Sequence, residues 1–199
     1  MTQVCAAVCY AKKVVNHRRT AAIRYNENLQ LLKQGAMLSL ASMPANALLR
    51  IHVSGDFFSR QYIEQWVREL AARPDITAWA YTRSWRVAKL AKLLHQLAAL
   101  PNMTLLLSAD RESGLPGKVW CECRVAWMAI NDTDQPPAPV HVAFRVKHHR
   151  PMATLKRMNG LVCPKESGAP GAEHVTCSSC KWCYRSIANY SAVYRKATV

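Results

Sequence analysis

Three cysteines fall within the stretch TCSSCKWCYRS, at Cys177, Cys180 and Cys183, and Cys163 lies fourteen residues before the first of them. One C-x-x-C pair says little. Three thiols at C-x2-C-x2-C with a fourth upstream make a four-ligand set, and thiolates suit both zinc and iron–sulfur clusters. The compact triplet can cap three corners of a cube, so a 4Fe–4S cluster is the first expectation and zinc the alternative. Left bare, clustered thiols are an oxidation liability. A second pair, Cys5 and Cys9, opens the chain in MTQVCAAVCYAKK and leads directly into a helical pattern. A helix N-terminus stabilises negative charge, including that of a thiolate or an anionic cluster. Two ligands do not hold a cubane, so the pair needs help from upstream, from the tail, or from Cys121 and Cys123.

A second set of chemically able residues sits at three equivalent places. LLRIHVSGDF ends in Ser54-Gly55-Asp56, ITAWAYTRSW carries Thr82-Arg83, and MTLLLSADR carries Ser108, Asp110 and Arg111. Each has an ordinary explanation alone: Asp56 forms a turn, Asp110 caps, and the arginines are solvated. Their common phase is what argues for a site, because parallel α/β folds bind ligands outside the carboxyl ends of their strands. His52 alternates with Ile51 and Val53, which places it on the opposite face from them.

The elements needed to bring these residues together are legible as a rhythm. The apolar runs at 48–57, 76–85 and 103–111 read as strands, and 59–74 and 85–101 between them as amphipathic helices. Ser59 and Ser84 are the expected caps, and Pro74 lies past the first helix end. Ser54, Thr82 and Ser108 recur at intervals of 28 and 26 residues, the period of βα units with right-handed crossovers. One helix is expected from Tyr10 to about Gln34, stopped by Gly35. VWCECRVAWMAI reads as a helix or a partly buried strand, NDTDQPPAP as a linker, and 140–149 as a further strand followed by the basic corner Lys147, His148, His149 and Arg150. Trp66, Trp79 and Trp85 are assigned to packing. The fold class is α/β, an incomplete (βα) barrel-like parallel sheet over 1–150, with a cysteine-rich metal-binding extension over 151–199.

The chain has 199 residues, 50% of them hydrophobic, enough for one domain with a real core and a small appendage. No run of about eighteen apolar residues is present, and no apolar stretch precedes the first charges, so neither a membrane span nor a secretory signal is read and the expected location is cytoplasmic. In a reducing cytosol the thiols favour metal over disulfides. The formal net charge of +15 implies an anionic partner, a nucleic acid or another anionic substrate.

CAAVCYA, HVSGDFFSRQYIEQW, WAYTRSW and LLLSADR, followed by a terminal cysteine cluster, together resemble the phage and plasmid gene product 88 family of unknown function. That family looks like a distant relative of radical SAM proteins, in which a cysteine loop ending C-Y-A holds a 4Fe–4S cluster. The resemblance implies S-adenosylmethionine as a cofactor. Ser54-Gly55-Asp56 then stands in the phase of the motif that binds the methionyl amine. Arg83, Ser108 and Arg111 fall where ribose and carboxylate are held. Two features depart from that pattern: the loop has two cysteines rather than C-x3-C-x2-C, and only four residues precede it. A further cysteine in a Cys-Pro-Gly-like turn is expected just before this point, with Met1 an internal methionine of a longer ancestral frame.

Overall fold

The computed structural model describes residues 2–131, 133–145, 160–167 and 170–185. Three helices lead: α1 (Gln3–Val8), α2 (Tyr10–His17) and α3 (Arg19–Lys33). The β1 strand (Leu48–Ile51) and the β2 strand (Thr77–Thr82) flank α4 (Arg60–Ala72); α5 (Ala88–Ala98) leads to β3 (Met103–Ala109). Then come β4 (Arg124–Ala129), β5 (Val140–Arg145), β6 (Gly160–Val162) and the short α6 (Cys177–Cys180).

All six strands pair in parallel in the order β1-β2-β3-β4-β5-β6. Strictly sequential order with helices returning over one face is the arrangement of a (βα) barrel that has not closed. The sheet is therefore an incomplete, barrel-like α/β assembly. β6 comes from the cysteine-rich segment and pairs with β5, so the described part of that segment extends the same sheet.

Alternation along the strands divides the side chains between two faces. On the helix side Ala78, Ala80, Leu105 and Leu107 pack under Ile63 and Leu70 of α4 and Leu90, Leu94 and Leu97 of α5. On the other side Trp79, Leu106, Ala126 and Val142 form a second cluster. In a closed barrel that face is filled by side chains of the remaining strands. Here it is covered by Cys163, Trp182, Cys183 and Tyr184 of the tail. No helix among the described residues is long and apolar enough to cross a membrane.

Local chemistry explains most element ends. The Ser59 hydroxyl accepts from the Tyr62 N–H at 3.2 Å and caps α4. Gly35, at φ +92°, ends α3 in a Schellman turn: its N–H reaches the Leu32 carbonyl at 3.2 Å, and the Ala36 N–H reaches Leu31 at 2.9 Å.

Four expectations are corrected. The single helix over 10–34 is broken at Arg18, whose φ of −127° leaves the helical region. Ser84 does not cap α5, which starts after Val87; the Ser84 hydroxyl instead donates to the Phe57 carbonyl at 2.7 Å. The strand expected over 48–57 stops at Ile51, because His52 takes a left-handed φ of +62°. That reversal also cancels the alternation argument for His52, whose ring packs on Phe57 and Tyr62, in the same cluster as Ile51. The ambiguous stretch resolves into a 3-10 turn, Lys118–Trp120, followed by β4. The basic corner at 147–150 lies outside the described residues.

Candidate metal centre and sheet rim

The tail cysteines are positioned by short pieces of regular structure. Cys163 directly follows β6, and its N–H donates to the Ala143 carbonyl at 2.9 Å. Cys177 and Cys180 begin and end α6, whose first turn is fixed by a capping box between Thr176 and Ser179. Lys181 then adopts φ +58°, turning the chain so that Trp182–Tyr184 runs as a 3-10 turn against the sheet.

Two contacts lock that turn. The Trp182 indole donates to the His141 carbonyl at 2.9 Å, and the Arg124 guanidinium donates to the Trp182 carbonyl at 3.0 Å. The Tyr184 ring lies 4.7 Å from that of Trp79. All four tail cysteines thereby line one cavity of about 30 Å³, with Val142, Val175, Trp182 and Tyr184 among its walls.

The electrostatics of this cavity are mixed. Burial pushes the Cys163 thiol up to about 11, with further pressure from Glu166 and Cys183. Burial also raises Cys183, while the Tyr81 hydroxyl and Arg124 act in the opposite direction. The Tyr81 hydroxyl donates to Cys183 Sγ at 2.8 Å. Arg124 is only 2% exposed, so a positive charge stands beneath the thiols in poorly screened surroundings. Among the described residues no group of three or more His, Cys, Asp or Glu side chains is drawn into a set that could hold a metal ion. The four thiols share one cavity without being drawn into a ligand set.

The second region is the rim at the carboxyl ends of β1, β2 and β3. Gly55 turns the chain at φ +91° and presents Asp56. Asp56 Oδ1 accepts from the Thr82 hydroxyl at 2.6 Å and from the Phe57 N–H at 2.7 Å; its Oδ2 accepts from the Arg83 N–H at 2.7 Å. Asp110 is fully buried. Its Oδ2 accepts from Arg83 Nη1 and from the Thr2 hydroxyl, each at 2.6 Å, and its Oδ1 accepts from the N–H groups of Glu112 and Ser113. Burial opposes the Asp110 charge, but hydrogen bonds from Thr2 and Ser113 and the Arg83 guanidinium outweigh it and hold the carboxyl below its usual range.

These contacts also place the front cysteines. Thr2 caps α1 by accepting from the Cys5 N–H at 3.0 Å, and Glu112 accepts from the N–H groups of Gln3 and Val4 at 2.6 and 3.1 Å. Negative charge thus meets the α1 N-terminus, and α1 is clamped to the end of β3. Cys5 lies within it, half-buried, its thiol raised by burial and eased by Arg83, with Cys9 as a neighbour.

The residues singled out in the sequence therefore separate. Asp56, Thr82, Arg83 and Asp110 join one hydrogen-bonded network beside Cys5. Apart from that network, the Ser108 carbonyl accepts from the Trp85 indole at 2.9 Å. Ser54 is half-buried, and Gly55 and Arg111 are exposed. Cys163, Cys177, Cys180 and Cys183 form a separate group on the sheet face. Cys123 is buried in the helix-side core and Cys121 is exposed. Sequence reasoning missed Tyr81, Arg124, Trp182 and Tyr184 as site residues. An arginine inside the apolar run VWCECRVAWMAI was the one available signal.

A family model described as gene product 88 matches residues 1–186. The chain is 33% identical to the Gene 88 protein of Mycobacterium phage L5, over 56% of this chain and 52% of that protein. It is 32% identical to the Gene 88 protein of Mycobacterium phage D29, over 56% and 51%. The chain spans about half the length of these relatives. No solved structure matches it.

Proposed function

The chain belongs to the gene product 88 family, and we propose that it is a metal–thiolate protein whose centre is held by Cys163, Cys177, Cys180 and Cys183 on the open face of a partial barrel. The observation that carries this reading is that four cysteines, from positions 163 to 183, line a single cavity between the sheet and a capped turn. Buried Arg124 and the Tyr81 hydroxyl both favour the anionic form of Cys183, as a centre with four thiolates requires.

The C-x2-C-x2-C triplet supports a 4Fe–4S cluster as the occupant. The cavity of about 30 Å³ is closer to the size of one ion, which favours zinc as the second reading. Anaerobic purification followed by iron, sulfide and zinc analysis separates them. Iron and sulfide in near-equal amounts with a brown colour support the cluster. A colourless protein with one zinc supports the alternative, and absence of both refutes the reading.

A finer proposal is an enzyme of the radical SAM type, with Cys5 and Cys9 at the rim contributing to a second centre. A reduced iron–sulfur cluster would supply there the single electron that cleaves S-adenosylmethionine. Its support is the sequential parallel sheet and the position of Cys5 beside Arg83 and Asp110. The chain's own part would be binding through the rim, where Asp56 and Asp110 already accept hydrogen bonds from within the protein. A substrate of this enzyme would be anionic, a nucleic acid or nucleotide, in keeping with 27 Lys and Arg against 12 Asp and Glu.

A further inference from the structure

We propose that Tyr81 is a positioning residue for the tail centre: its hydroxyl, aimed at Cys183 Sγ, fixes that thiolate and sets how tightly the centre holds its metal. This inference rests on the four-thiolate reading.

Tyr81 lies on the face of β2 away from the helices, two residues after Trp79, and comes from a part of the chain 102 residues distant from Cys183. Its ring is held on two sides. Phe144 of β5 meets it edge-on at 5.3 Å between centroids, and the Arg50 guanidinium of β1 stands 5.2 Å over its face. Those strands are parts of the rigid sheet, whereas Cys183 is on the turn that docks against it. The hydroxyl is therefore the fixed partner, and the thiol is placed by it.

The donor direction has a consequence. A hydroxyl donating to sulfur stabilises the thiolate over the thiol and shares its charge, and a thiolate is the ligating form. It also leaves Cys183 one fixed orientation. Arg124 adds charge from beneath and holds the Trp182 carbonyl, one residue before the ligand, so the loop cannot swing away from the hydroxyl. Hydrogen bonds to ligating sulfur are part of the protein's means of tuning such a centre, and loss of an outer-shell partner weakens metal affinity by about 10- to 100-fold.

The experiment uses the full chain as purified anaerobically, with three forms side by side: wild type, Tyr81→Phe and Phe144→Leu. Bound metal is titrated away with a chelator while thiolate-to-metal absorption is followed. Tyr81→Phe keeps the ring and its packing and removes only the hydroxyl. The expected result is the same metal content, a shifted absorption band, and metal released at about tenfold lower chelator concentration. Phe144→Leu keeps the hydroxyl but loosens one of the two contacts that hold its ring, and is expected to shift the chelator midpoint by clearly less than Tyr81→Phe. Equal midpoints and spectra for wild type and Tyr81→Phe overturn the inference while leaving the four-thiolate reading intact. An equal shift in Phe144→Leu overturns it as well, since packing would then account for the effect. A wild type that holds no metal through the tail cysteines removes the reading and the inference together.

Discussion

At the scale of single residues, His141 makes the tail interface sensitive to acid. Its Nδ1 accepts from the Val125 N–H at 3.0 Å, a bond that requires that nitrogen unprotonated. Burial, helped by the Arg124 charge, lowers its pKa to about 4 from an ordinary value of 6.5. The unfolded chain therefore binds a proton more readily than the folded one between those two values. Stability is full above about pH 6.5 and is lost progressively as pH falls toward 4. In His141→Asn the side-chain oxygen can accept the same N–H without titrating, so the thermal midpoint of the variant should fall less than that of wild type over this window. Parallel curves would refute the assignment.

The same scale shows where residue identity was a good guide and where it was not. The cysteine spacing singled out four residues that come to line one cavity, because short intervals in sequence keep side chains close in space. Tyr81 carried no such mark: a tyrosine in a strand becomes informative only once a segment 102 residues away is seen to dock on it. Asp56 and Asp110 look in sequence like ligand-binding acids. In the fold their oxygens accept from Thr82, Arg83, Thr2 and Ser113, so the two acids also tie the rim together.

At the scale of elements, the βα rhythm was legible since helix and strand differ in hydrophobic period, and α4, β2, α5 and β3 appear within the stretches so read. Ends were less so. β1 stops early at the left-handed His52, and the break at Arg18 has no glycine or proline to announce it. Gly35 did announce its turn. At φ +92° an added methyl would meet nothing within 4 Å, so Gly35→Ala carries a backbone penalty alone, about 1 kcal/mol in chemical unfolding. A loss near zero would show that the turn does not persist in solution.

The pair α2–α3 supplies a second test at this scale. None of α3 is buried, and Lys12, Arg18, Arg19, Arg24 and Lys33 are exposed around a single acid, Glu27, which pairs with Arg24 at 3.2 Å. If the anionic partner is a nucleic acid, binding should weaken steeply with salt. Replacing both Arg18 and Arg19 by alanine should reduce the logarithmic salt slope by about 2. An unchanged slope would remove this helix pair from the interface.

At the scale of the whole molecule, the open side of the sheet is the feature on which the proposed function rests. A closed barrel fills its interior with strand side chains, but this sheet leaves Trp79, Leu106, Ala126 and Val142 to be covered by the tail. That docking was not legible in sequence, where the cysteine-rich segment read as a separate extension, because nothing local in it states which surface it meets. Its consequence is that the thiols are carried by a loop but oriented by the sheet through Tyr81, Arg124 and the His141 carbonyl. The most direct test of this account is metal and sulfide analysis of anaerobically purified protein, wild type beside a form with Cys177 and Cys180 replaced by serine. The account predicts a bound centre, iron with sulfide or a single zinc, that the double substitution abolishes. Equal metal content in both forms, or none in either, would contradict it.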